Sequence, residues 1–440
     1  MKSLIRISRL TTALLLIVLA SSYAEGQMAN PIVADSITRQ PLLSASVFDR
    51  NGKALGLSGN SGRLPYISPE CYPVTVRYLG YKEKEISDLN TDTIFLSEIS
   101  MELPEVFVES KQHKLLHILG YVREYSTLST YTDTVFLFRE KMVDYMLVPD
   151  RKVKFKGWQS PRILKSNSYY RFTDNHGLDS VSCECPYHFS WSDWVSIPTP
   201  PEIPSQLKSS EYGTDTIRGR YSPSEVWSRN GDRVIVDVNV LADTTARKWI
   251  PSLAGFFHNG LDYENIRVRF MYDNVIGDSI AATDLSGYSF NIESNGRNRE
   301  MFKFNWDDEP VSVSTYAEVY MLDKEFITVK EAKKWADRKL DMSGIEIIEP
   351  TEAPELQEST RSLIARVNAV NNDDVRLNLA PDRRLISQHL HTQNIAQRAL
   401  TLLKEATGIS QLLTNRNFNR SWSGFRDRQR RVNQNHTSGK

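Results

Sequence analysis

Between Pro31 and about Ser110 the chain alternates short runs of β-branched and aromatic residues with turn residues, and no run keeps a helical period. Ser44 to Phe48, Pro73 to Tyr78 and Thr93 to Leu96 read as strands. The dipeptide Asn51-Gly52 is a tight-turn signal, and Ser58-Gly59-Asn60-Ser61-Gly62 is a second turn cluster. Many short strands with frequent turns predict a small β-sandwich over residues 31–110. A transition segment, 111–152, follows. In it Leu115, Leu116, Leu119 and Val122 recur at helical spacing, which predicts a helix over Lys114 to Tyr125, although Gly120 works against it.

From 153 to 345 the pattern is β-rich. Arg233 to Leu241 alternates valines with polar residues, as a half-buried strand does, and Ile266 to Tyr272, Tyr288 to Ile292 and Ser312 to Met321 are further strands. Ile197 to Pro204 is a stiff proline-rich connector, short of backbone donors. A sandwich or open barrel is the architecture this predicts. Strand spacing is too irregular for an outer-membrane barrel, whose segments alternate over about ten residues each.

Thr328-Val329-Lys330-Glu331 is a capping box that opens a helix reaching about Leu340. A Pro/Glu-rich hinge at Glu349 to Glu355 leads into a helical region over 355–410. There Leu363, Ile364, Val367 and Val370 mark one amphipathic helix, and Leu390 to Leu403 a second ending near Gly408. Residues 411–440 form a basic tail read as flexible. The fold class is therefore mainly β with C-terminal α: a small N-terminal β-sandwich, a β-rich middle domain and a helical C-terminal segment.

The first residues change where this fold is expected to work. Lys2, Arg6 and Arg9 precede an apolar run from Thr11 to Ala20, and Ser22 and Ala24 sit at the −3 and −1 positions of a cleavage site. That is the layout of a signal peptide over 1–24, too short to span a bilayer, which takes about 20 apolar residues. The expectation is an exported protein, periplasmic or outer-membrane associated. Basic and acidic residues balance at 54 each, so no nucleic-acid partner is expected. Three cysteines, Cys71, Cys183 and Cys185, are too few for a disulfide scaffold.

The order Asp35-Ser36, Pro41-Leu42, Ala45-Ser46-Val47, Asn51-Gly52-Lys53, Val74-Thr75-Val76 and Leu79-Gly80-Tyr81, closing on Leu103-Pro104-Glu105-Val106-Phe107-Val108, resembles the carboxypeptidase regulatory-like domain. The resemblance covers under a fifth of the chain, and Arg39-Gln40 stands where that family has glycine. It implies a prealbumin-like sandwich that serves as a structural and interaction module and brings no catalytic residues. In Gram-negative envelopes such domains precede TonB-dependent receptors and uncharacterised exported proteins. The Phe136 to Glu140 stretch and the Glu318-Val319-Tyr320-Met321-Leu322-Asp323 junction also resemble such exported proteins, with no known activity implied.

Four constellations carry candidate chemistry. His113 and His117 stand one helical turn apart if the helix forms, a spacing able to hold a metal, but no Glu completes a protease motif. His176, Cys183, Cys185 and His188 are zinc-ligand types in a spacing that matches no common finger; buried thiols or a disulfide to Cys71 are the alternative. Tyr187, Trp191 and Trp194 are positioned to stack on sugar rings if exposed, or to fill a core. Arg416, Arg420, Arg426, Arg428, Arg430 and Arg431 offer an anionic-surface contact, to lipid or polysaccharide, or form a solvated tail. The adjacent pair Arg139-Glu140 reads as structural. No nucleophile elbow, phosphate loop or dinucleotide fingerprint occurs. The expectation is a non-catalytic envelope protein that binds or assembles with protein partners, without a cofactor. A glycan-binding or glycan-active protein and a surface adhesion subunit are the alternatives.

Overall fold

The computed structural model describes residues 30–87, 91–99, 114–148, 161–183, 190–193, 197–242, 261–297, 309–337 and 344–370, with Phe155, Val195 and parts of 396–431. Residues 1–24, expected as a signal peptide, and most of the expected helix over Leu390 to Leu403 lie outside the described residues.

Six short strands build the N-terminal unit: β1 (Ile32–Asp35), β2 (Ser46–Phe48), β3 (Ala54–Leu57), β4 (Val74–Arg77), β5 (Lys84–Ile86) and β6 (Thr93–Leu96). β1 and β6 pair in parallel, while β3-β2-β4-β5 form an antiparallel sheet, and Val33, Val47, Val76 and Ile94 are buried in the core they share. The turn signals work as the sequence predicts. Gly52, at φ +81°, donates its N–H to the Asp49 carbonyl and closes the β2–β3 hairpin. Gly62, at φ +71°, lies where a Cβ would come within 2.4 Å of the Val33 carbonyl oxygen, so only glycine fits.

Among the described residues, the rest of the β structure is one ten-stranded antiparallel sheet. Its strands are β7 (Lys114–Ser129), β8 (Asp133–Leu147), β9 (Arg162–Asp174), β10 (Asp179–Ser182), β11 (Tyr212–Arg218), β12 (Pro223–Asn230), β13 (Arg233–Asn239), β14 (Leu261–Tyr272), β15 (Leu285–Gly296) and β16 (Val311–Thr328). The order is β10-β9-β8-β7-β16-β15-β14-β13-β12-β11. The chain thus runs outward from β7 to the β10 edge. It then crosses through the proline-rich connector to β11 and returns strand by strand to pair β16 with β7.

The transition segment is accordingly the middle of the sheet, and the helix expected over Lys114 to Tyr125 is strand β7. The reason is two-sided burial. Leu116, Ile118 and Val122 face one core, Leu115, Tyr121 and Tyr125 face others, so apolar residues fall on both faces and the period-two alternation is lost.

One face of the sheet carries the main core, with Val122, Val143, Phe172, Val236, Phe270 and Val319 among its residues. Ile203 and Leu207, from the connector and the residues just after it, close over this face together with Trp191, Trp422 and Phe425. The opposite face receives the sandwich and the helices α1 (Val329–Asp337) and α2 (Glu358–Ala369). Phe48 of β2 meets Tyr125 and Tyr316 with ring centroids 5.7 and 5.5 Å apart, and Leu363 and Val367 of α2 join the same cluster. Each such side chain contributes about 1.5–3 kcal/mol on full burial, so this cluster binds sandwich, sheet and α2 together. α1 begins at the expected capping box: the Thr328 N–H donates to Glu331 Oε2 at 2.7 Å, and the Glu331 N–H donates to Thr328 Oγ1 at 3.3 Å. Among the described residues no helix is long and apolar enough to cross a membrane.

Candidate functional site

Among the described residues, one group of buried ionisable side chains lies where the sandwich meets the sheet. Strand β4 ends on Arg77, and the sheet sets Tyr125 and Glu318 opposite it. Arg77 donates to Tyr125 Oη at 2.7 Å and to Glu318 Oε1 at 3.0 Å, and its Nε lies 3.2 Å from Glu83. Tyr316 donates to Glu318 Oε2 at 2.9 Å, and Arg123 stands 3.9 Å from the same carboxylate. Burial works against the Arg77 charge, but the Glu318 carboxylate outweighs it and holds the guanidinium firmly protonated. Burial, then Glu318, pushes the Tyr316 hydroxyl up, so it stays a neutral donor. Arg77, Glu83, Glu318 and Tyr320 line a cleft with a cavity of about 10 Å³, room for about one water.

A second group sits on the other face. Glu124 of β7 and Lys141 of β8 approach to 3.4 Å, with Ser190 and Ser192 from the segment after β10. Lys141 Nζ donates to Ser190 Oγ at 2.6 Å and also to Ser192 Oγ. Ser192 Oγ donates to Glu124 Oε2 at 2.7 Å, and the Trp191 N–H donates to Glu124 Oε1 at 3.0 Å. A serine beside a lysine amine is the outline of a nucleophile and base. Here all four side chains are at most 2% exposed, so a substrate has no approach. The group instead fixes residues 190–192 to the sheet.

A third lies near the start of β7. His117 Nδ1 is 2.9 Å from Glu325 and its Nε2 is 3.3 Å from Asp144, which Arg162 holds with bonds of 3.0 and 2.6 Å. Trp335 of α1 lies over both, 5.1 Å from the imidazole and 5.5 Å from the guanidinium. Burial opposes charging His117, yet the two carboxylates prevail and raise its pKa above 6.5. His117 lies in a strand, so the helical-turn pairing expected with His113 does not apply; His113 itself lies outside the described residues.

The basic tail is the largest departure from expectation. Residues 422–428 are helical, with Trp422 and Phe425 buried against Phe172 at centroid distances of 5.0 and 5.6 Å. Arg426 bonds Asp133 at 2.9 Å and Asp174 at 2.6 Å, and Arg430 bonds Asp174 at 3.0 Å. These two arginines are therefore paired with carboxylates of the protein. Arg416, Arg420, Arg428 and Arg431 are exposed.

Trp191, read either as a sugar platform or as core filling, is fully buried and meets Tyr263 edge-on at 5.8 Å, so it offers no open ring face. Tyr187, Trp194, Cys185 and His188 lie outside the described residues. His176 is exposed in the β9–β10 turn, Cys183 is exposed, and Cys71 carries a half-buried free thiol. Arg139 and Glu140 do not pair: Arg139 donates to Ser168 at 3.0 Å, while Glu140 accepts from Tyr121 at 3.2 Å. Sequence reasoning missed Arg77, Glu124, Lys141, Asp144 and Glu318. Their signal is a charge set inside an otherwise apolar strand, which periodicity treats as noise.

No family model matches the chain, and no curated protein matches it. A solved structure titled "Lipid-protein interactions in lipovitellin" aligns with 49% of the chain at 9% identity and a TM-score of 0.23, and the chain covers 26% of that protein. A likeness at that level carries no argument.

Proposed function

We propose that the chain is a non-catalytic exported envelope protein that acts as a binding or assembly component. The observation that carries this reading is the sealing of its charged groups. Arg77, Glu124, Lys141, Asp144 and Glu318 are all at most 2% exposed, each held by neighbours within the protein. Groups arranged this way join one element to another and do not meet substrate. The two-sheet arrangement over 32–96 supports reading the sandwich as a carboxypeptidase regulatory-like module, used for packing onto the sheet. Lys2, Arg6 and Arg9, with the apolar run after them, support export to the periplasm or outer membrane.

Cross-linking in intact cells followed by mass spectrometry tests the reading. The expected result is a chain beginning after Ala24, recovered from the envelope and linked to specific envelope proteins. Recovery in the cytoplasm with residues 1–24 intact overturns export. A purified chain that cleaves envelope glycans overturns the non-catalytic role.

A further inference from the structure

The ten-stranded sheet ends differently on its two sides. β10 is four residues long and α2 packs beside it, with Leu363 and Val367 in one cluster with Val181. β11 is seven residues long, with Tyr212, Thr214, Thr216, Ile217 and Arg218 exposed, and among the described residues no strand pairs with its outer side. Natural sheets shorten, cover or charge such edges, because free backbone groups template another strand. From Tyr212 to Ile217 this edge has neither proline nor lysine.

The ladder shows which groups point outward. The Gly231 N–H donates to the Glu211 carbonyl at 2.7 Å, so by antiparallel alternation residues 211, 213, 215 and 217 bond toward β12. Tyr212, Thr214 and Thr216 turn theirs outward. Two of these six groups are capped locally. Ser210 Oγ donates to the Tyr212 carbonyl at 2.7 Å, and the Thr216 N–H donates to Asp215 Oδ1 at 2.8 Å. What remains is the N–H of Tyr212, both groups of Thr214 and the carbonyl of Thr216.

That remainder is self-complementary about a two-fold axis at Thr214. Tyr212 N–H meets the Thr216 carbonyl of a second copy, the two Thr214 residues exchange both bonds, and the Thr216 carbonyl receives the second copy's Tyr212 N–H. No cap has to open. The charges agree, since Glu211 falls opposite Ile217 of the second copy, beside its Arg218. An axis at Asp215 would oppose two carboxylates. An axis at Thr216 would run the pairing into the bulge between Ile217 and Arg218. Tyr212 and Ile276, both strongly exposed, adjoin the same turn at residues 231–232 and add apolar surface beside the ladder. We infer that β11 is a homodimer contact, through which two copies pair antiparallel and join their sheets by β-strand addition. The dimer stands independently of the assembly role proposed above.

Sedimentation equilibrium of the purified full chain over a wide concentration range tests this. The expected mass is twice that of the monomer, falling toward the monomer on dilution. Thr214→Pro removes only an outward N–H, so it halves the mass while circular dichroism and melting stay as in the parent. Thr214→Cys forms a 214-to-214 disulfide between copies, identified by peptide mapping, since a hydrogen-bonded pair sets Cα atoms about 5.5 Å apart. A monomer at every concentration overturns the inference. So does a dimer that survives a folded Thr214→Pro variant, or one in which no 214-to-214 link forms.

Discussion

Arg77 on β4 and Glu318 on β16 form an ion pair at 3.0 Å with both side chains 2% exposed, joining sandwich to sheet across 241 positions of sequence. A buried pair is costly to assemble and far costlier to break, because the survivor is left as an uncompensated charge. Arg77→Met is therefore expected to lower unfolding free energy by about 3–5 kcal/mol. Arg77→Met with Glu318→Leu should cost less than the sum of the single changes, since neither member of the pair is left buried without the other. Chemical denaturation of the four proteins in a double-mutant cycle measures this; a double variant as unstable as the sum of the singles would refute it.

The C-terminal segment is predicted to hold to the sheet through Arg426. Asp133 and Asp174 lie directly opposite each other in the β8–β9 register, an arrangement that repels without a cation between them. Arg426→Ala should release residues 422–428, at a local cost of about 2 kcal/mol, seen as faster hydrogen exchange there than in β7 or β16. The Asp174 contribution has a definite pH sign. Burial disfavours the Asp174 carboxylate, but the Leu178 N–H and the two arginines outweigh it and hold its pKa at about 2. Its stabilisation is then fully present above about pH 4 and lost as pH falls through 2. Carboxyl titration by NMR checks this, and a midpoint near the ordinary aspartate value would refute it.

His117 is expected to respond in the opposite direction. Its folded pKa is raised above 6.5 by Asp144 and Glu325. The stabilisation is complete below the unfolded value and disappears as pH rises from 6.5 through the folded value. Melting temperature should fall across that window in the parent and stay flatter in His117→Gln. Equal slopes in the two proteins would show that the fold does not raise the imidazole's pKa, and would refute the prediction.

The hydrophobic pattern reveals strands buried on one face and hides those buried on two. Val234, Val236 and Val238 alternate with Ile235, Asp237 and Asn239, and β13 lies where that alternation predicts. β7 has apolar side chains on both faces, so its 115, 116, 119 and 122 spacing imitates a helix. In the tail, Trp422, Phe425 and Arg426 stand at i, i+3 and i+4, a helical signal overshadowed by the surrounding charge. What Arg426 binds was not legible at all, because Asp133 and Asp174 meet only through strand register. The same holds for Lys141 and Glu124, whose partners come from a segment about 50 residues or more further along.

Trp191 decides between a structural and a sugar-stacking role for the aromatic cluster. Its ring is sealed against Tyr263, and its backbone N–H is bound to Glu124 beside Lys141. Trp191→Ala should therefore act as a core truncation, costing roughly 3–5 kcal/mol. Trp191→Phe keeps most of the volume and should recover more than half of that loss. Neither change should alter binding to envelope polysaccharide under conditions where the variant is folded, because the indole presents no face to solvent. Thermal melts beside a polysaccharide pull-down separate the two roles. A stable Trp191→Ala protein that loses polysaccharide binding would place this ring at a site that opens in solution and favour the glycan-binding alternative.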